Sequence, residues 1–335
     1  MFIEEYKRHK KDQARAFAKM RSAAQVVHPF VVLALSCAAA LAVFTAVKAG
    51  KGKKMDVSRP LLVVNLFNVG GGNAMLVETP SRKTILIDSG PAVPKNSDES
   101  SQFSLAEGRI VWKDIIKPYL TRTNIKEITS LVLTSPESGY CGGASEILSD
   151  NFPVGEVVAS NTYFPGPRFR DFRNVKEAAE KRGILKKVSK GDVIFKGGGV
   201  SMQVLGPLID YAGFEDFSKN ASLVLRIVYG DTALIYCSAA GLSELNHIAS
   251  YEGLASDVLV VADHCSGASF SISFIEEAEP KICLISVGRG NKEEYPDSKA
   301  LMFFDAMRIK HYRTDLNGTL TVSSDGNVVA VKKEY

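Results

Sequence analysis

Apolar and polar positions along the chain fall into two regimes. From Pro29 to Val47 there are 19 consecutive residues without a charge, and roughly 20 residues carry a helix across a bilayer core. Lysines and arginines flank this run on both sides, so it predicts a single uncleaved transmembrane helix over 28–49. A cleaved signal peptide would need a far shorter basic leader than 1–27. Beyond it the period shortens. Leu61–Val69, Ala74–Glu78 and Thr84–Asp88 read as strands joined by tight loops, an antiparallel meander. Ile110, Val111, Ile115, Ile116, Tyr119 and Leu120 recur at helical spacing, with Pro118 limiting the helix near its end. Ile128–Thr134 is a buried strand that empties into a Ser/Pro/Gly-rich loop, Ser135–Gly143. Further on, Asn174–Arg182 reads as a surface helix, Val188–Leu205 as a hairpin around Lys196–Gly199, and Asn220–Tyr236 as a hairpin turning at Gly230-Asp231. Asp257–Ala262 and Lys281–Val287 are buried strands. Pro94–Ser104 reads as a polar, mobile loop.

Charge and composition narrow the classes. The 335 residues carry a formal net charge of +4, too small to argue for general nucleic acid binding. Seven Lys/Arg precede the apolar run (Lys7 to Arg21) and five follow it (Lys48 to Arg59). That bias predicts a cytoplasmic N-terminus in the cell inner membrane, with the large domain outside the cytoplasm. The division expected is a basic segment 1–27, the membrane helix 28–49, a linker 50–60 and one domain 61–335. Five cysteines show no CxxC spacing, which excludes a zinc ribbon and gives no disulfide framework. Gly70-Gly71-Gly72 is not a nucleotide loop, because no Lys-Ser/Thr follows and no helix opens.

The run Phe67 to Pro80, followed by Thr84-Ile-Leu-Ile-Asp88-Ser-Gly-Pro91, resembles the opening of the metallo-β-lactamase-like domain of ComEC-type competence proteins. There the motif is Asp-Val-Gly-Gln-Gly-Asp-Ala; here Asn68, Gly71 and Asn73 depart from it. The resemblance continues through Asn220–Leu225 to Thr314–Thr319 and covers about 61–331. It implies an α/β fold, the metallo-β-lactamase αβ/βα sandwich, preceded here by a single transmembrane helix. It also implies a hydrolytic pair of metal ions, but the ligand positions have changed. Where the family has His-x-His-x-Asp-His, this chain has Ser135, Glu137, Gly139 and Tyr140. The bridging aspartate is Ala239, His-His-Gly-Ser has become Asp263-His264-Cys265-Ser266, and His-Pro-His has become Tyr295-Pro296-Asp297.

Neither Ser, Gly, Tyr nor Ala is a competent ligand at neutral pH, and two or three remaining ligands do not hold two metals. The expectation is therefore a pseudoenzyme without cofactor, a membrane-anchored scaffold among other envelope proteins. Two rivals stay open. One is a phosphodiesterase- or nuclease-like hydrolase with a mononuclear site at Glu137, Asp263 and His264. The other is a polyanion-binding module built on Arg168, Arg170, Arg173, Lys176, Lys186 and Lys187, against the reading of a solvated helix face. Cys141, Cys237 and Cys265 flank the altered motifs, so a Cys/His zinc site or redox pair is a further candidate, set against buried thiols filling a vacated cavity. Cys283 reads as core, Asp88 and Asp315 as turn residues, and His247 and His311 as ordinary histidines. The sequence names no partner and no oligomeric state.

Overall fold

The computed structural model describes residues 54–92, 110–213 and 216–335. The predicted basic segment 1–27, the membrane helix 28–49, the first part of the linker and the polar loop 94–104 lie outside them. Among the described residues no helix is long and apolar enough to cross a membrane. The compact unit begins at Lys54. Part of the expected linker is pinned to it, since the Asp56 amide donates to Asp325 Oδ2 (2.7 Å) and the Tyr229 hydroxyl donates to the Pro60 carbonyl (2.8 Å).

Among the described residues, fifteen strands form two sheets. In chain order, β1 (Leu62–Leu66), β2 (Met75–Glu78), β3 (Thr84–Ile87), β4 (Ile128–Leu133), β5 (Val154–Ser160) and β6 (Leu185–Val188) build most of the first. The second consists of β7 (Val193–Gly197), β8 (Val200–Gly206), β9 (Val224–Tyr229), β10 (Thr232–Tyr236), β11 (Val258–Val260), β12 (Ile282–Ile285) and β13 (Lys310–Arg313). The closing hairpin β14 (Leu320–Ser324) and β15 (Val329–Lys333) returns to the first sheet, giving the order β15-β14-β1-β2-β3-β4-β5-β6. The predicted meander is present, with β1, β2 and β3 antiparallel neighbours. So are the hairpins β7–β8 and β9–β10.

The two sheets face each other, and strand alternation sorts the strand residues of the core into inner and outer layers. Leu62, Val64, Leu66, Met75, Val77, Ile85 and Ile87 point inward to meet Met202, Leu225, Leu234, Tyr236 and Leu284 of the opposing sheet. Their neighbours point outward, where Leu76, Leu86 and Leu131 pack beneath helices of one outer layer, and Ile235, Leu259 and Cys283 beneath the other. A strand buried on both faces needs apolar residues at consecutive positions, and Thr84–Ile87 is buried at all four. The architecture is thus a mixed α/β sandwich resembling the metallo-β-lactamase fold.

The outer helices include α1 (Lys117–Arg122), α2 (Ser138–Cys141), α3 (Ala144–Ser149), α4 (Arg170–Lys181) and α5 (Phe217–Asn220). The predicted helix over 110–122 forms, but its irregular part precedes Pro118: Val111–Ile116 is wound as a π-helix that runs into α1. Pro118 has no N–H for the turn before it, which favours the wider winding there. Strands β3–β6 run parallel, as do β10–β13. Their carboxyl ends gather at one edge of the sandwich, where crevices of α/β sheets form.

Candidate functional site

The first residues beyond β3, β4, β10, β11 and β12 meet at that edge. Asp88 follows β3 and is fully buried. Its Oδ1 accepts the Thr134 amide (2.8 Å), and its Oδ2 accepts both the Thr134 hydroxyl (2.5 Å) and the Tyr236 hydroxyl (2.6 Å). Thr134 Oγ1 has its proton committed to Asp88, so the 2.5 Å contact with Ser238 Oγ has Ser238 as donor. Asn73 Nδ2 donates to the Tyr236 oxygen (3.1 Å). Burial pushes the Asp88 carboxyl up to about 6, against the pull of its three hydrogen bonds. Asp88, read from sequence as a turn residue, does sit at a left-handed backbone position (φ 57°), and it also anchors the floor of the site.

Above this floor the ligand positions are occupied by rings and ion pairs. Tyr140 is buried, and its hydroxyl donates to the Ser238 carbonyl (3.4 Å). Its ring centroid lies 5.8 Å from that of His264, which in turn stacks on Tyr295 at 6.0 Å. His264 Nδ1 lies 2.8 Å from the Ser286 carbonyl, a contact that requires the proton on Nδ1. Burial lowers the imidazole's pKa, only partly offset by Asp263. Ala239 is fully buried and brings a methyl group. Ser135, also fully buried, accepts the Glu137 amide on its hydroxyl (3.3 Å). Gly139 supplies only its backbone, its carbonyl accepting the Asn73 amide (3.0 Å).

The carboxylates at the altered motifs are engaged: Asp297 Oδ1 accepts the Lys299 and Ala300 amides (2.7 and 3.1 Å), and Asp263 and Glu137 hold charged partners. Asp263 Oδ2 accepts Lys219 Nζ (2.7 Å), Ser266 Oγ (2.6 Å) and Ser269 Oγ (3.1 Å). Glu137 accepts Arg168 on Oε2 (2.5 Å) and Ser218 Oγ on Oε1 (2.5 Å). Ser218 and Lys219 are adjacent on α5, so one short helix staples both acidic loops. Burial pulls the Lys219 ammonium down, but the Asp263 carboxylate and its hydrogen bond outweigh that and leave its pKa raised.

The backbone beneath these side chains is unusual. Asp263, His264 and Cys265 are three successive left-handed residues (φ 47°, 59° and 62°), and Ser238 adds a fourth at 54°. Each costs of order 1–3 kcal/mol outside glycine, so the surrounding packing must impose them. Gly142 shows how tight that packing is: a Cβ there would lie 2.2 Å from the Ala92 nitrogen. Gly142 and Gly143 therefore permit α2 and α3 to sit on the Ser89–Ala92 loop.

The remaining sequence candidates are dispersed. Cys141 lies in the apolar layer under the first sheet's helices, whereas Cys237 and Cys265 share the opposite layer with Cys283. All four are buried and free, and burial raises every thiol, Cys265 to about 12. In the basic stretch, Arg173 donates to the Phe164 and Gly166 carbonyls (both 2.7 Å) and Lys176 to the Ser160 carbonyl (2.8 Å). Lys187 pairs with Glu180 (3.0 Å) and Arg168 with Glu137; Lys186 is half-buried and Arg170 exposed. Most of these cations hold their own helix and loop in place. Thr134, Ser218, Lys219, Tyr236 and Ser238 escape a reading of the sequence, because each is a lone residue without motif spacing.

No family model matches the chain. It is 29% identical over 266 residues to ComE operon protein 3 of Bacillus subtilis, covering 77% of this chain and 32% of that protein. Competence protein ComA of Neisseria gonorrhoeae is 26% identical over 259 residues, covering 77% of this chain and 31% of that protein. The chain thus spans about a third of the length of the curated relatives it matches. Among solved structures, a CmlA β-hydroxylase E377D mutant superposes with a TM-score of 0.50 at 13% identity, over 78% of this chain and 53% of that one. That likeness is one of fold.

A metal pair of the kind the fold family implies does not fit these residues. Such a centre needs several imidazoles and carboxylates free to bind. Here one imidazole lies between two phenol rings, and Asp263 and Glu137 already hold an ammonium and a guanidinium. One buried oxygen at the floor, Asn73 Oδ1, has no hydrogen-bond partner. A single neutral amide oxygen beside a phenol is not a cation cradle. Among the described residues, no group of three or more His, Cys, Asp and Glu is disposed to bind a metal.

Proposed function

We propose that this chain is a membrane-anchored domain of the metallo-β-lactamase fold that works without metal hydrolysis, as a scaffold for other envelope proteins. Residues 28–49 serve as its anchor, with the N-terminus in the cytoplasm and the folded domain outside it. The observation that carries the reading is the Lys219–Asp263 pair at 2.7 Å. An intramolecular ammonium neutralises the acid at a former ligand motif, and Ser266 and Ser269 complete its solvation. A divalent cation would have to expel that ammonium and find further ligands among phenols, a methyl group and a backbone. Similarity to competence proteins supports the domain type; the activity of those longer proteins is not carried over.

The test is metal analysis of the purified full chain in detergent, together with assays on phosphodiester substrates. The reading predicts no stoichiometric zinc or manganese, and no cleavage above that of a His264→Ala variant. A mononuclear hydrolase would instead show one bound metal per chain, lost together with activity in His264→Ala. Pull-down of envelope proteins by the anchored chain, retained by His264→Ala, would support the scaffold role.

A further inference from the structure

Away from this site, the outer face of the first sheet carries a cavity of about 890 Å³ between α1 and the closing hairpin. Strand register builds its floor. Asn65 of β1 is paired with Thr321 of β14, which is paired with Lys332 of β15, and directly paired residues on neighbouring strands share a face. The Thr321 hydroxyl donates to Asn65 Oδ1 (2.8 Å), Asn65 Nδ2 donates to the Tyr119 oxygen (2.9 Å), and the Tyr119 hydroxyl donates to Glu78 (2.7 Å). This row holds itself together, so recognition falls to the walls.

The walls are electrically lopsided. Arg122, Arg289, Lys332 and Lys333 line the cavity and are exposed, and among the described residues none of them forms an ion pair. Of its three acids only Asp315 is neutralised by a cation, while Asp114 and Glu334 keep their charge but hold backbone amides, so four cations face two uncompensated carboxylates. Asp114 accepts the Ile110 amide (2.6 Å), Glu334 accepts the Thr319 amide (2.7 Å), and Asp315 takes both arms of Arg313 (3.0 and 2.7 Å). The arginines are positioned as well as unpaired. Arg289 is tied to the Asp315 carbonyl (3.3 Å), and Arg122 lies over the Tyr119 ring, 5.4 Å from its centroid. A stacked guanidinium keeps its edge N–H groups free for a planar or tetrahedral oxyanion. In the 168–190 stretch, by contrast, most cations are consumed by local carbonyls and carboxylates.

We propose that this groove binds a small ligand through a phosphate ester, with Arg122 and Arg289 gripping the phosphate, Lys332 and Lys333 adding charge, and Ile115 and Pro118 receiving an apolar portion. The ester is carried either by a soluble molecule or by a lipid headgroup, and one experiment separates them. The full chain in nonionic detergent is titrated with inorganic phosphate, with glycerol phosphate, and with micelles doped with phosphatidylglycerol or, as control, phosphatidylcholine. Saturable binding of glycerol phosphate assigns a soluble ester; binding of the phosphatidylglycerol micelles alone assigns the headgroup. In either case Arg122→Ser/Arg289→Ser should weaken binding by about tenfold or more, the scale of lost charged hydrogen bonds, while Arg170→Ser leaves it unchanged. Both variants alter exposed side chains, and their unfolding midpoints should match the parent's. The proposal is overturned if no phosphate ester saturates the protein, or if the double variant, folded as the parent, binds equally well.

Discussion

Replacing Asp88 by asparagine is a test of the site's floor that can be worked through from the structure. In the folded chain burial raises this carboxyl from 3.8 to about 6. Over that interval the folded state holds a proton that the unfolded chain has released. The contribution of Asp88 to stability is therefore most favourable below pH 3.8, declines as pH rises, and is fully unfavourable above pH 6. A tenfold change in proton affinity is worth roughly 1.4 kcal/mol, so the ionised form costs the fold about 3 kcal/mol above that range. An asparagine in its place carries no charge, tolerates the left-handed backbone at φ 57°, and can keep the three contacts if the Thr134 and Tyr236 hydroxyls reverse. Trp112, the chain's one tryptophan, is buried and reports unfolding by fluorescence. Urea unfolding of parent and Asp88→Asn between about pH 4 and 7 should show the difference in unfolding free energy moving by about 2.4 kcal/mol in favour of the variant as pH rises. A difference that stays flat across that range would refute a buried, proton-retaining Asp88.

Three further outcomes follow from the same geometry. Glu244 is fully buried, with its Oε1 accepting the Leu208 amide (3.0 Å), and burial raises it to about 7. It has the same sign as Asp88, so Glu244→Gln should remove a stability loss that the parent shows between about pH 4.5 and 7, read from unfolding midpoints across that range. Lys219→Met leaves Asp263 with two hydroxyl donors and no counter-charge. A fully buried pair broken this way costs about 3–5 kcal/mol; because Lys219 is partly exposed, a loss of about 2 kcal/mol is expected in urea unfolding. Tyr140→Ala empties the position between the Asp88 floor and His264, and should cost about 3–5 kcal/mol, with an unchanged midpoint counting against the packing described.

Much of the sandwich was legible because its central strands are buried on both faces, which forces the unbroken apolar runs seen at Thr84–Ile87 and Val258–Val260. The π-helix at Val111–Ile116 was not, since a proline announces irregularity without saying on which side it falls. The site divides similarly. Altered ligand positions could be read from Ser135, Glu137, Gly139, Tyr140, Ala239 and Tyr295 against the motif frame. What those positions hold instead depends on residues that carry no spacing signal. Lys219 is one lysine before a hairpin, and only the folded α5 shows it reaching Asp263. The cysteines lie close to the motifs along the chain, yet Cys141, on helix α2, and Cys237, just past β10, fall in opposite apolar layers. A basic run such as 168–190 says nothing about where its charges point, and here the chain's own carbonyls receive several of them.

The stoichiometry of metal in the full chain, purified without chelator and analysed by elemental mass spectrometry beside its Lys219→Met variant, tests most directly whether this domain works without metal. Parent protein should emerge without stoichiometric zinc or manganese, even after incubation with either ion. Two ions bound per parent chain, with phosphodiester cleavage that depends on them, would contradict metal-free function.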